Sequence, residues 1–88
     1  EILVAREFEP NYAKFPEKIN DKLEKKERIV KSNPFHSSLH TEKLFPKSKE
    51  VWSFRIDRSY RVIFRFLEKD EVLFLNIGPH DQIYKINF

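Results

Sequence analysis

Four arginines, Arg55, Arg58, Arg61 and Arg65, crowd one short stretch of this chain, and a histidine, His80, follows its only glycine in "NIGPHDQIY", residues 76–84. Guanidinium groups stay charged at any relevant pH and match phosphate oxygens two at a time. An imidazole, with a reference pKa of about 6.5, exchanges a proton near neutrality. Tyr84 lies four residues past His80 and returns to the same side if the segment curls or bulges. Together these side chains supply what RNA cleavage needs when no metal takes part. A base activates the ribose 2′-hydroxyl, cations steady the charged phosphorane, and an acid protonates the leaving oxygen. Each residue alone has a plainer explanation: a turn histidine, a rim tyrosine, arginines in separate surface ion pairs worth little. Only the combination raises the chemical alternative.

The wider charge distribution points the same way. The net charge is +3, but residues 32–65 carry seven Lys/Arg against three Asp/Glu, while residues 1–31 are close to balance and residues 66–88 are acidic. A basic centre suits a polyanion, nucleic acid first; a merely solvated basic surface is the other explanation. The loop "PFHSSLHTEKLFPKSKE", residues 34–50, adds His40, Lys43, Lys47 and Lys49 to that centre.

Strands must position the arginines. In "VWSFRID", Trp52, Phe54 and Ile56 share one face, and Ser53, Arg55 and Asp57 the other. In "YRVIFRF", Tyr60, Val62, Phe64 and Phe66 oppose Arg61, Ile63 and Arg65. Cross-strand partners point the same way, so paired residue numbers must add to an even total, with Arg55 opposite Arg61 or Ile63. A loop of odd length, or a bulge near Asp57–Tyr60, follows. "VLFLNI" is apolar on both faces, as a central strand should be. At its end Gly78 permits a backbone turn and Pro79 fixes the next φ, aiming His80 and Asp81 outward.

Ahead of these strands, "EILVAREF" alternates as an opening strand, and "NYAKF" between Pro10 and Pro16 allows a short helix. From Pro16 the residues Ile19, Leu23 and Val30 make one narrow apolar stripe on a highly charged helix that ends at "SNP". "IYKINF" suits a short last strand. The expected fold is α+β, of order β-α-α-β-β-β(β), with two N-terminal helices packed on one face of a mostly antiparallel twisted sheet. The opposite face is expected to carry Arg55, Arg61 and Arg65 in a cluster.

Eighty-eight residues, 40% of them hydrophobic, suit one domain over 1–88. No apolar run approaches the ~20 residues of a bilayer span, and "ILVA" ends at Arg6 and Glu7, so neither a membrane partner nor a secretory leader is expected. The chain has no cysteine, which is compatible with the cytoplasm. His36, His40 and His80 lack any HExxH-type pattern, so no metal or other cofactor is expected.

"WSFRIDRSYRVIFRF" and "VLFLNIGPHDQIY", behind the opening strand and helices, resemble the RelE/ParE toxin superfamily of type II toxin–antitoxin systems over nearly the whole chain. The histidine-containing close is more similar to the RelE, YafQ and YoeB type than to the ParE type. "NPFHSSLHTEKL" also has the look of the family's loop before the second strand. The resemblance implies a small α+β protein that cleaves mRNA in the A site of the translating ribosome, without metal, and is silenced by a cognate antitoxin. It implies that Arg61 contacts the scissile phosphate and that Arg55 serves that phosphate or a neighbour. His80 would act on phosphate or proton, and Tyr84 would stack on a base or assist proton transfer. Arg65, Arg58, Lys43, His40, Lys47 and Lys49 are expected to bind the RNA, a solvated loop being the plainer reading for His40 and Lys43. There are departures: where RelE has a lysine pair this chain has Ser53 and Arg55, and no carboxylate is clearly placed as the base. His80 leads for that role, with Asp57, Glu50 and Asp81 as further candidates. Two other functions stay open: a ParE-like protein that inhibits DNA gyrase without enzymatic activity, and a degenerate relative that only binds its antitoxin.

Overall fold

A computed structural model describes residues 1–6, 8–68 and 70–83. Strand β1 (Ile2–Val4) is followed by a six-residue helical segment, Phe8–Ala13, and then by the one long helix, α1 (Glu17–Ser32). Strands β2 (Glu42–Lys43), β3 (Trp52–Arg55), β4 (Tyr60–Phe66) and β5 (Val72–Pro79) come next, and a short helix, α2 (His80–Ile83), closes the described chain. The sheet order is β1-β5-β4-β3-β2.

The expected architecture is corrected in its N-terminal helices. The N-terminal half holds one full helix, not two. Fixing a first helical turn costs more than its single hydrogen bond returns, so a segment as short as Phe8–Ala13 depends on its packing. Pro16 separates it from α1. The sheet is mixed, because β1 runs parallel to β5 while the other pairs are antiparallel. After β5 the chain turns into α2, which includes Ile83, the first residue of the expected last strand; residues 84–88 of that expectation lie outside the described residues.

Helix α1 forms as its sequence dictates. Glu17 stands in its first turn and Lys31 in its last, each matching the dipole at its end, and the Asn33 N–H closes it on the Ile29 carbonyl at 2.7 Å. Its stripe, Ile19, Leu23 and Val30, is buried against Phe54, Val62, Phe64, Phe74 and Ile77 of the sheet. Trp52 and Phe66 pack at the margin of this core.

The β3–β4 register pairs Trp52 with Phe64, Ser53 with Ile63, Phe54 with Val62, and Arg55 with Arg61, as the even-sum rule requires. The Ile56 N–H donates to the Tyr60 carbonyl at 3.0 Å, so the connecting loop is Asp57, Arg58 and Ser59, odd in length.

Between β4 and β5 the register shifts. Ile63 pairs with Asn76 and Phe64 with Phe74, leaving Leu75 as an extra residue on β5. The bulge inverts the phase of the strand beyond it. Ile77 thereby joins Val62 in the main core, and Gly78 falls opposite Arg61. Glycine is wanted there for space. No glycine has a positive φ, which corrects the expected backbone role; instead, a Cβ at Gly78 would lie 3.3 Å from the Ile83 side chain, a tight fit.

The far face of the sheet is not the bare arginine surface expected. Leu44, Val51, Ile63 and Ile83 form a second buried cluster there, with Leu75 packed against it. Among the described residues no helix is long and apolar enough to cross a membrane.

Candidate functional site

Arg61 is 7% exposed, an unusual burial for a group that never gives up its charge. The turn before it explains how this is tolerated. Its Nη1 donates to the carbonyl of Asp57 at 2.8 Å, to that of Tyr60 at 3.1 Å and to that of Arg58 at 3.3 Å. Three carbonyl dipoles therefore hold one guanidinium nitrogen, while Nε and Nη2 have no hydrogen-bond partner among the described residues. Those donors are left for something else.

Asp57 sets the turn. Its Oδ1 accepts the N–H of Ser59 at 2.8 Å and of Tyr60 at 2.9 Å, and its Oδ2 meets Lys22 Nζ of α1 at 3.2 Å. Burial pushes this carboxyl up, but the two backbone N–H groups and the Lys22 ammonium outweigh it and hold it below the ordinary aspartate value. So engaged with Lys22 and the turn, Asp57 is poorly placed for the role of general base open to it in the sequence.

Arg55 lies directly across from Arg61 and makes no hydrogen bond or ion pair among the described residues. Two like charges face each other here, an arrangement that costs stability unless an anion answers it. His80 begins α2, and its N–H donates to the Ser59 carbonyl at 2.6 Å. That bond ties the end of β5 to the turn that holds Arg61. The His80 Nδ1 stands 3.6 Å from Asp81 Oδ1, but the Asp81 side chain is 97% exposed, so the pair is weak.

From the other side, the two residues of β2 complete the hollow. Glu42 pairs with Ser53 and so shares the face of Arg55, whereas Lys43 pairs with Trp52 and points the opposite way. An open pocket of about 500 Å³ results, lined by His40, Thr41, Glu42, Arg55, Arg61 and His80. It gathers two guanidinium groups, two imidazoles and a carboxylate from five places in the chain.

The chain from residue 4 to residue 84 matches a family model described as the ParE toxin of type II toxin-antitoxin system, parDE. This chain belongs to that family. The toxin is similar in structure to a YoeB/ParE toxin from Agrobacterium tumefaciens, at 18% identity and TM-score 0.76, over 91% of this chain and 98% of that one. It is likewise similar to the toxin in two complexes. One is the RelB–RelE antitoxin–toxin complex from Methanococcus jannaschii, at 19% identity and TM-score 0.74, covering 94% and 95% of the two chains. The other is the E. coli DinJ–YafQ toxin–antitoxin complex, at 15% identity and TM-score 0.75, covering 96% of each. Such distant likenesses show a shared fold. No curated protein matches the sequence.

The remaining residues expected at the toxin's site are dispersed. Arg58 lies beside the pocket, in a shallow groove with Ser59, Pro79, His80 and Asp81. Arg65 is set apart: four residues along a strand span about 13 Å, and the Leu44/Val51/Ile83 cluster covers Ile63 between it and Arg61. Its Nε is buried without a hydrogen-bond partner among the described residues. Lys43 places its Nζ 5.8 Å from the Trp52 ring centroid, on the helix side of the sheet. Lys47 and Lys49 sit in an exposed 3₁₀ turn, and Glu50 after it is also exposed, none of them lining the pocket. Tyr84 lies outside the described residues.

Glu42 is the site residue that sequence reasoning missed. A two-residue strand has no period to detect, so the loop around it read as irregular. The available signal was its place as the one acidic residue of residues 34–49, in a segment expected to touch an anion.

Proposed function

We propose that this toxin is an endoribonuclease that cuts mRNA in the ribosomal A site and is held inactive by a cognate antitoxin. The observation that carries the reading is the convergence of Arg55, Arg61, His80 and Glu42 on one open pocket. Arg61, its Nη1 fixed by the turn, and Arg55, without an ion pair among the described residues, hold the scissile phosphate between β4 and β3. Glu42, an acceptor when ionised, takes the proton of the 2′-hydroxyl. The 2′-oxygen then attacks phosphorus, and the two guanidinium groups stabilise the charge that builds on the phosphorane oxygens. His80, protonated, gives its proton to the departing 5′-oxygen as the P–O5′ bond breaks. The products are a 2′,3′-cyclic phosphate and a 5′-hydroxyl, and the proton count closes. This assigns the base to Glu42 in preference to His80. In this reading base, acid and cations all come from the side chains named.

The antitoxin is inferred from the family and from the RelB–RelE and DinJ–YafQ complexes, whose toxins share this fold. A second reading, inhibition of DNA gyrase with RNA left whole, draws support from the ParE name of the matching family. It leaves the grouped Glu42 and His80 without a task.

The experiment is translation of a defined mRNA by purified ribosomes with added toxin, with the 5′ ends mapped by primer extension. Wild type yields discrete cuts within codons. Arg61→Ala and His80→Ala each lower the cutting rate at least 100-fold, in line with losing one transition-state interaction. Intact mRNA with the wild type, together with DNA breaks in a gyrase assay, would overturn the ribonuclease in favour of the second reading.

A further inference from the structure

Among the described residues three other than glycine have a positive φ: His40 at 49°, Glu50 at 53° and Asp70 at 63°. That region is disfavoured for any residue with a Cβ, and positions that keep it despite the cost are drawn disproportionately from functional sites. His40 and Glu50 each follow a 3₁₀ turn, Ser37–Leu39 and Lys47–Lys49, and their N–H groups close it on the Ser37 and Lys47 carbonyls. At such an end glycine or asparagine serves the backbone better. Of the three, only His40 also lines the pocket with Arg55, Arg61 and His80.

Its neighbours hold it there. Leu39 is fully buried in the main core, the Thr41 hydroxyl donates to the Pro34 carbonyl at 2.6 Å, and Glu42 starts β2. Residue 40 is thus pinned from both directions in a conformation its side chain does not favour, and that side chain stays exposed at the rim of a cationic hollow. Around it stand Thr41 and Glu42 of its own segment, Arg55 of β3, Arg61 of β4 and His80 of α2.

We propose that His40 is a second imidazole of the site, donating a ring N–H to the phosphodiester next to the one held by Arg55 and Arg61. The ligand class is single-stranded RNA, and the inference rests on the ribonuclease reading. Protonated, His40 adds its positive charge to those of Arg55, Arg61 and His80 facing the RNA, so its contact is stronger in that form. The strained backbone is then tolerated for function, and a residue better suited to the fold would serve the substrate worse.

The test uses a short single-stranded RNA with 2′-O-methyl riboses, which cannot be cut, bound at pH 6 and pH 8 and followed by fluorescence anisotropy. Thermal midpoints are measured on the same proteins. His40→Gly is expected to bind about tenfold more weakly at pH 6, the worth of one charge-assisted hydrogen bond, with a smaller difference between the two pH values than wild type. Its thermal midpoint stays level or rises, because the backbone conflict is relieved. His40→Lys is expected to bind at pH 8 as tightly as wild type does at pH 6. Unchanged affinity in His40→Gly overturns the proposal. So does weaker binding with a lowered midpoint, which would mark a structural residue. Wild type that binds this RNA yet leaves mRNA whole on the ribosome fails the ribonuclease reading alone.

Discussion

On the helix side of the sheet, Phe54, Val62, Phe64, Phe74 and Ile77 lie buried beneath Ile19, Leu23 and Val30 of α1, in one continuous core. On the other side the buried apolar set shrinks to Leu44, Val51, Ile63 and Ile83, and arginines stand to either side of it along β4. The first face repays the entropy of folding with area removed from water. The second sets two guanidinium groups opposite each other at Arg55 and Arg61, which no stability argument would choose. A small domain can carry such a pair only when its stability is secured elsewhere, and here that is one strand-thickness away. Neighbouring residues of β4 therefore answer to different demands.

The sharpest way to break this contrast is to truncate two adjacent residues that point to opposite faces. Phe64→Ala is expected to cost about 3–5 kcal/mol and Ile63→Ala about 2–3 kcal/mol, both measured by urea denaturation. The first is a large part of the total stability of a domain this size, so Phe64→Ala should be largely unfolded at 37 °C, while Ile63→Ala remains folded. Equal losses, or a larger one at Ile63, would mean that the second cluster supports the fold as heavily as the first, and the division of labour would be wrong.

What could be read in advance follows the same division. Period-two alternation assigned both faces of β3 and β4, and the even-sum rule narrowed the partner of Arg55 to Arg61 or Ile63, of which the structure has the first, because pleat geometry leaves little freedom once the strands exist. Long-range packing was hidden. Leu44 comes from a loop with no period and Ile83 from a single turn of helix, so although Val51 and Ile63 belong to the alternating stretches, little along the chain announced the cluster that separates Arg65 from Arg61. Glu42 was concealed by the brevity of β2. Gly78 was correctly singled out for the wrong reason, since its need for space depends on the bulge at Leu75 and on Ile83 folding over it. The pair of N-terminal helices reduced to one, because a segment bounded by Pro16 has no length in which to propagate.

A smaller effect is expected where the two faces are joined. Asp57 links Lys22 of α1 to the turn whose carbonyls hold Arg61. Its folded pKa is depressed, so its contribution is complete above the ordinary aspartate value of 3.8 and is lost as the pH falls through the folded value. Asp57→Asn keeps an oxygen for the Ser59 and Tyr60 N–H groups but removes the charge that faces Lys22. At pH 7 the variant should be less stable by on the order of 1 kcal/mol, and the gap should close in acid below pH 3.8. Glu27, raised mainly by burial and by Glu24 against the pull of Lys31, titrates with the opposite slope; it is present in both proteins and cancels in their difference. Urea midpoints at pH 7 and pH 3 decide the matter. A gap that does not change with pH would show that the Lys22 contact does not bridge the faces, even if the turn itself matters.

The smallest expected change in stability carries the opposite sign and sharpens the contrast most. Arg55 has no partner among the described residues and looks across to Arg61 on β4. Replacing it with glutamine keeps a polar side chain on an aliphatic stem and removes one of two like charges, a gain of about 0.2–1 kcal/mol by the usual worth of a cross-strand pair. The cleavage rate should fall about 10–100-fold, since one phosphate contact is lost while Arg61 keeps its place in the turn. A rise in the thermal midpoint together with that fall in rate would show a residue retained against the interest of the fold. If Arg55→Gln instead lowers the midpoint, then something on this side of the sheet already satisfies the guanidinium, and the pocket is less open to an anionic substrate than its lining implies.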